Sequence, residues 1–410
     1  MGAKELNLAE PINKKIFKNY EDQNIRIGIC LMQGWRKTME DTCLAIPNFD
    51  GNDNSIFGIF DGHGGSIIAQ FVACNIENIL KNSKYYKNSN CEKALIDSFI
   101  IIDELLKNKD VDIFLKKIRA HRKNTIDTND ENGAGIINKE LLKDNIKNDP
   151  FTDYLFYCSS DLDHDTNLKY LYPDISPELL SDNFSHEKKI IKYDENDKNK
   201  INEISFNNMK LDEINNKIQE NENKIKDMSD LIANNIGTTA NVLILKKNDI
   251  YVANVGDSLS VMYKKKKAYK LNKEHKTTYD KEANRLKKLG TKIQNYRING
   301  KLNITRAIGD LSYKNKTDKY IYEQDVLAIP EVSKYSTDDV DFIVMGSDGF
   351  WDYGDDVQTI CDNIYNELKN DPKKDLCDLI GRIFDKGLAS ANNYLRGTDN
   401  MSCIIIQFMK

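Results

Sequence analysis

Apolar residues in this chain of 410 residues gather in two stretches, residues 22–107 and 233–409. In both stretches short apolar runs are separated by polar turns, a pattern typical of buried β-strands. The runs that predict strands are IRIGICLM, TCLAIP and SIFGIFD in the first stretch, and TTANVLILKK, DIYVANVG, LSVMYKK, DFIVMGS and MSCIIIQFM in the second.

Apolar positions three and four residues apart predict helices among these strands. Two such faces lie in the first stretch: Ile68, Phe71, Val72, Ile76 and Ile79, and then Leu95, Phe99, Ile102 and Leu106. In the second stretch we expect helices at residues 279–289, 355–369 and 374–390. Bunched strands with helices between them favour an α+β or layered α/β fold.

Residues 108–232 differ in composition from both stretches, because they are rich in Asn, Lys, Asp and Glu. Loops longer than about 15 residues are uncommon in compact domains. We therefore predict a partly disordered insertion within a domain of residues 22–410, with residues 1–21 as an N-terminal extension. Residues 204–232 carry a three-four apolar pattern, which fits either a helix laid on the parent domain or a coiled-coil seam that recruits a partner.

Charge and cysteine content exclude several classes of protein. A net charge of −5 argues against nonspecific nucleic-acid binding, which needs a basic face. No apolar run reaches the roughly 20 residues of a transmembrane helix. The eight cysteines lack CxxC spacing, so reduced thiols in the cytoplasm or nucleus fit better than zinc or disulfides. Gly2 is a candidate for myristoylation, but Leu6 stands where Ser or Thr is favoured, so we expect an unmodified terminus.

Four aspartates stand at the ends of predicted strands, each near a small residue. Asp61 follows SIFGIF and Asp257 follows DIYVANVG; Asp348 follows DFIVMGS, and Asp399 precedes NMSCIIIQFM. One such residue is ordinary turn chemistry, but four at one sheet edge would repel each other. A bound cation resolves this repulsion, and ligands that are all oxygen select Mg²⁺ or Mn²⁺.

The segment GWRKTMEDT adds two more acids and a guanidinium. If the segment is extended, the adjacent Glu40 and Asp41 face opposite ways, so one can ligate a metal while the other holds a water or a ligand. Arg36 offers a planar fork suited to a phosphate. Taken alone, these residues also fit a surface ion-pair patch.

Seven motifs resemble, in this order, those of the metal-dependent Ser/Thr protein phosphatases of type 2C: GWRKTMED, FDGHGG, GTTAN, ANVGDS, LNITRAIGD, SDGFWD and GTDNMS. The resemblance covers both apolar stretches and omits the insertion. It implies an α+β fold, a four-layer α-β-β-α sandwich with a central pair of antiparallel-rich β-sheets flanked by helices. A two-metal site is then expected at one end of the sandwich.

The resemblance also implies the metal ligands, which are Glu40, Asp61, Gly62, Asp257, Asp348 and Asp399. Asp61 would bridge two Mg²⁺ or Mn²⁺ ions. The Gly62 carbonyl and Glu40 would complete the protein ligands of one ion, and Asp348 and Asp399 would hold the other. Asp257, together with Asp348, resembles a weaker third-metal site.

Catalytic roles are implied for three further residues. Arg36 would bind the substrate phosphate, His63 would be the general acid, and Asp41 would hydrogen-bond metal-bound water. Leu259 departs from the pattern, since Arg usually follows the GDS sequence.

The function that follows is hydrolysis of phosphoserine and phosphothreonine in proteins by a metal-activated water, without a covalent phosphoenzyme. Phosphorylated proteins would be the substrates, and we expect a monomer. Two alternatives stay open: a catalytically silent scaffold and a hydrolase of small phosphate esters. The intact set of acids argues against the scaffold, whereas it does not distinguish protein substrates from small esters.

Overall fold

The computed structural model describes residues 7–126, 156–157, 230–352, 354–390 and 396–409. Gly2 and residues 204–229 of the expected insertion helix lie outside the described residues. Within the described ranges, no helix combines the length and the apolar character that crossing a membrane requires.

The strands of the first apolar stretch are β1 (Asn7–Glu21), β2 (Ile25–Arg36), β3 (Thr42–Ile46), β4 (Ser55–Phe60) and β5 (Gly62–His63). A short strand β6 (Phe156–Tyr157) follows. The later strands are β7 (Gly237–Thr238), β8 (Ala240–Lys246), β9 (Asp249–Val255), β10 (Leu259–Lys264), β11 (Lys267–Lys270), β12 (Ile293–Gln294), β13 (Arg297–Ile298), β14 (Ile308–Gly309), β15 (Glu331–Ser336), β16 (Val340–Gly346) and β17 (Met401–Phe408). All eight apolar runs that predict strands are confirmed.

The helices are α1 (Ile67–Asn82), α2 (Lys84–Lys87), α3 (Cys91–Leu105), α4 (Lys109–Ile126), α5 (Asp280–Lys288), α6 (Asp348–Trp351), α7 (Val357–Asn370) and α8 (Leu376–Gly387). Short 3₁₀ turns lie at Ile232–Asn234, Leu311–Tyr313 and Ile321–Glu323. The five helices that the apolar spacing predicts are confirmed as α1, α3, α5, α7 and α8.

Two six-stranded sheets form the centre of the described structure. The first has the order β1-β2-β17-β16-β10-β11, and the second has the order β15-β9-β8-β4-β3-β6. Pairing among the described strands is antiparallel except between β3 and β6. A small third sheet, β14-β7-β5, lies where the chain leaves β4.

The alternation of side chains along β2 shows how the layers pack. Ile27, Ile29 and Leu31 pack into the apolar core between the two sheets. Cys30 and Met32 point to the other face, where residues of α7 and α8 cover the first sheet. Because a strand has a period of two, one strand supplies both cores. Strands covered on both faces therefore appear in the sequence as nearly continuous apolar runs.

Helices α1 and α3 contact the second sheet through β3, β4, β9 and β15. The layers are therefore helix, sheet, sheet and helix, and the predicted four-layer α-β-β-α sandwich is confirmed.

The structure differs from the expected domain boundaries at both ends of the first stretch. Residues 7–21, expected as an extension, form the edge strand β1, whose bulged pairing with β2 accommodates Pro11. Residues 109–126, expected in the insertion, form α4, where Val111 and Leu115 are buried. These segments lack clean strand periodicity or strong apolar content, so their partners, rather than their own pattern, determine where they lie.

Candidate active site

Three of the four strand-end aspartates converge. Asp61 follows β4 and Asp257 follows β9, both in the second sheet, while Asp348 begins α6 directly after β16 of the first sheet. Carboxylate oxygens of the three residues lie within 4.8 Å of one another. The site therefore lies at the end of the sandwich where strands of both sheets finish.

Hydroxyl side chains hold these strand ends together. Thr239 Oγ1 accepts a hydrogen bond from the Asp61 N–H (3.1 Å) and lies 2.8 Å from Ser258 Oγ, beside Asp257. Thr239 is buried and follows the short strand β7. The GTTAN and GDS motifs thus work as structural links between two of the acids.

Burial and repulsion from neighbouring carboxylates raise the pKa of two of these acids, Asp61 and Asp348, well above the ordinary range of Asp. For Asp61 the cause after burial is the charge of Asp41, followed by Asp348 and Asp257. For Asp348 it is the charge of Asp257. Acids in this state are stabilised by a divalent cation, and carboxylate oxygens are the ligands that Mg²⁺ and Mn²⁺ prefer. The residues present therefore fit a metal site.

Glu40 and Asp41 lie in the turn before β3 and have different partners. Asp41 is buried, and its carboxylate accepts a hydrogen bond of 2.8 Å from Ser402 Oγ. Burial and the charge of Asp399 raise the pKa of Asp41 to about 7. The Glu40 carboxylate instead accepts a hydrogen bond of 3.2 Å from the Gly65 N–H.

Gly62 is in close contact with this turn. A Cβ on Gly62 would lie only 2.4 Å from the carbonyl oxygen of Glu40. The missing side chain therefore lets the chain after β4 approach the acidic turn closely.

Arg36 and Asp399 form an ion pair, with 2.5 Å between Arg36 Nη2 and Asp399 Oδ2. Arg36 ends β2 and Asp399 precedes β17, and these two strands are neighbours in the first sheet. Both side chains are about two-fifths exposed (43% and 38%), so the pair is open to solvent. Among the described residues, the acids that meet within 4.8 Å do not include Asp399 or Glu40.

Three residues of the site were missed by the sequence analysis. Asn400 donates hydrogen bonds to the carbonyl oxygens of Gln33 and Thr38 and accepts one from the Glu40 N–H, so it holds the acidic turn. Lys276 Nζ lies 3.2 Å from Asp257. Asp310 lies 2.6 Å from His63. Asn400 and Asp310 stand inside quoted motifs, which is the signal that could have found them.

His63 lies on β5, next to the acids. Burial alone would lower the pKa of His63, but the charges of Asp310, Asp257 and Glu40 raise it above its ordinary value. The imidazole is thus favoured in its protonated, cationic form at one side of the acidic cluster.

A family model described as Protein phosphatase 2C matches residues 25–119 and 182–393. The chain belongs to the protein phosphatase 2C family. Members of this family are metal-dependent protein phosphatases that act on serine and threonine, and membership assigns that activity to this chain.

Similar proteins support this assignment. "Probable protein phosphatase 2C 21" of Arabidopsis thaliana is 29% identical over 405 residues, covering 98% of this chain and 92% of the relative. "Probable protein phosphatase 2C 11" of Oryza sativa is 28% identical, with 98% and 90% covered. The crystal structure of a phosphatase from Toxoplasma gondii has a TM-score of 0.53 at 16% identity, with 96% of each chain covered, and it supports the fold.

Leu259, where this phosphatase departs from the pattern, is buried in the core under α7 and α8. Its carbonyl accepts a hydrogen bond of 3.0 Å from Trp351 Nε1. An apolar side chain thus fits the local packing.

Proposed function

We propose that this phosphatase hydrolyses phosphoserine and phosphothreonine in proteins by attack of water on phosphorus, without a covalent phosphoenzyme. The observation that supports this is the set of three repelling carboxylates at one end of the sandwich. When bound, two Mg²⁺ or Mn²⁺ ions, with a weaker third, would activate the water and neutralise charge on the phosphoryl oxygens.

The residues proposed to hold these ions are Glu40, Asp61, the Gly62 carbonyl, Asp257, Asp348 and Asp399. Asp61 would be shared by two ions, because its carboxylate is near that of Asp348 and its neighbour Gly62 is in close contact with Glu40. Asp257 would serve the weaker third ion, because its carboxylate is already paired with the ammonium of Lys276.

Arg36 is proposed to bind the substrate phosphate. A guanidinium can form two parallel hydrogen bonds to a phosphate. The half-exposed pair with Asp399 leaves Arg36 accessible from solvent, so a phosphoryl group can compete for it.

His63 is proposed to protonate the leaving group, and Asp41 is proposed to orient the attacking water. The P–O bond to the serine or threonine oxygen breaks, the electron pair stays on that oxygen, and protonated His63 donates a proton to it. Asp41, buried and hydrogen-bonded to Ser402, would accept a hydrogen bond from the attacking water and orient it.

The test is an assay of the metal-reconstituted full chain on phosphothreonine peptides and on small phosphate esters. We expect kcat/KM to be higher on the peptides. Turnover of small esters alone would support the alternative of a small-ester hydrolase, and no turnover of either would support the scaffold. The monomeric state and the location in the cytoplasm or nucleus stay predictions.

A further inference from the structure

Asp310 is the immediate partner of His63, although 247 positions separate the two residues in the chain. Oδ2 of Asp310 lies 2.6 Å from Nε2 of His63, and the Asp310 side chain is only 3% exposed. A carboxylate at this distance accepts a hydrogen bond from Nε2–H. The other ring nitrogen, Nδ1, is then the one that remains for a substrate.

The small sheet β14-β7-β5 brings the two residues together. His63 is paired with Gly237, and Gly237 is paired with Gly309, the residue before Asp310. Asp310 itself has a left-handed backbone with φ of 50°. Besides Gly, Asp and Asn are the residues that adopt this conformation most readily.

Gly237 leaves the space in which the pair meets. A Cβ on Gly237 would lie 2.4 Å from Asp310 Oδ2 and 2.8 Å from His63 Nε2. Its φ is outside the left-handed region, so its backbone does not require glycine. What requires a glycine here is contact with the histidine–aspartate pair.

We propose that Asp310 is a positioning residue, which holds the His63 ring through Nε2 so that Nδ1 delivers the proton to the departing serine or threonine oxygen. The inference rests on the proposed function. In the step, the proton moves from Nδ1 of the imidazolium to the alkoxide. The neutral ring keeps its other proton on Nε2, where it is donated in a hydrogen bond to Asp310.

The first test replaces Asp310 with Asn, which suits the left-handed backbone and has the same size. The Asn amide can donate a hydrogen bond to Nε2, so that the proton of the neutral ring lies on Nδ1 instead of Nε2. At saturating Mn²⁺ we expect Asp310→Asn to lower kcat on a phosphothreonine peptide by roughly ten- to a hundredfold, with a smaller change in KM. On p-nitrophenyl phosphate, whose leaving group needs no proton, the loss should be much smaller.

Comparison with His63→Gln separates positioning from general damage. That variant should show the same dependence on the leaving group, and the double variant should lose no more on the peptide than His63→Gln alone. Gly237→Ala should repeat the selective loss, because its new methyl group displaces the pair without removing either side chain.

Asp103→Asn is the matched control. Asp103 is another buried acid beside β14, where it accepts hydrogen bonds from the Gly309 N–H (2.9 Å) and from Lys314 (2.6 Å). Asp103→Asn should lower the stability of the fold. The ratio of kcat on the peptide to kcat on p-nitrophenyl phosphate should stay as in the original chain.

A measurement without turnover completes the test. In ¹⁵N-histidine-labelled full chain with Mg²⁺, the His63 resonances, assigned by their absence in His63→Gln, should show the proton of the neutral ring on Nε2. Asp310→Asn should move it to Nδ1. The inference would be overturned if the spectrum of Asp310→Asn were unchanged, or if His63→Gln but not Asp310→Asn lost activity selectively on the peptide. Either outcome would leave the phosphatase function standing. A chain without peptide activity would overturn the function, and the spectra would still decide the role of Asp310.

Discussion

Two groups of acids in this phosphatase have opposite electrostatic environments. At the metal centre, Asp61 and Asp348 have pKa values raised by burial and by neighbouring carboxylates. In the segment between β11 and β15, burial alone would raise the pKa of Glu282, but Arg306 and Arg285 lower it to about 2. The first group lacks balanced charge, and the second contains its own counter-ions.

The ion pairs of the second group are short, and Glu282 and Arg306 are buried. Glu282 Oε1 lies 2.6 Å from Arg306 Nη2, and Glu282 Oε2 lies 3.0 Å from Arg285 Nε. Such a network holds α5 against the segment that carries Arg306 without needing a ligand. Repelling acids, by contrast, cost stability until a cation arrives. The difference teaches that lack of compensation, rather than burial of acids as such, distinguishes the site from the scaffold.

Chelation should produce the largest effect, because only the uncompensated group depends on a cation. We expect exhaustive EDTA treatment to abolish turnover and Mn²⁺ or Mg²⁺ to restore it, measured on a phosphothreonine peptide. Circular dichroism should show that the fold persists without metal. Full activity in the metal-free chain would contradict the metal proposal.

Asp61→Asn should lower kcat by at least about two orders of magnitude, since the residue is proposed to contact both ions. In EDTA at neutral pH the same variant should melt at a higher temperature than the original chain, because one repelling carboxylate has been removed. Near-normal kcat with a normal metal response would rule out the assigned role.

Glu282→Gln should have the opposite signature, since it breaks a compensated pair. We expect the free energy of unfolding at pH 7 to fall by about 3 kcal/mol, while metal affinity stays unchanged. Because the pKa of Glu282 is depressed in the folded state, this contribution is present above its unfolded value. It should disappear as the pH falls from about 4.5 towards 2. Urea titrations of both proteins across that range measure the difference.

Asp257→Ala should have the smallest effect, because Asp257 is already paired with Lys276 at 3.2 Å and Lys276 keeps a second partner, Glu274, at 3.1 Å. We expect the tightly bound metal pair to remain and only the dependence of rate on Mg²⁺ concentration to change. Calorimetric titration with Mn²⁺ measures this. Loss of the tight pair would move Asp257 into the principal site.

The sequence by itself determined the strands and helices whose own residues carry the pattern. The run MSCIIIQFM predicts β17, and Ile68, Phe71, Val72, Ile76 and Ile79 predict α1, because period and apolar content are local properties. The motifs also identified the family, and they contain the three acids whose carboxylates meet, Asp61, Asp257 and Asp348. These features need no knowledge of what the segment contacts.

Only the tertiary structure decided which distant groups meet. The edge position of β1, the pairing of Arg36 with Asp399, and the contact of His63 with Asp310 all depend on sheet order and strand register. The same holds for charge balance, since a guanidinium lies beside Glu282, whereas other carboxylates lie near Asp348. The sequence pattern shows which residue stands at each position. The neighbours that set its pKa and form its contacts come from segments far away in the sequence.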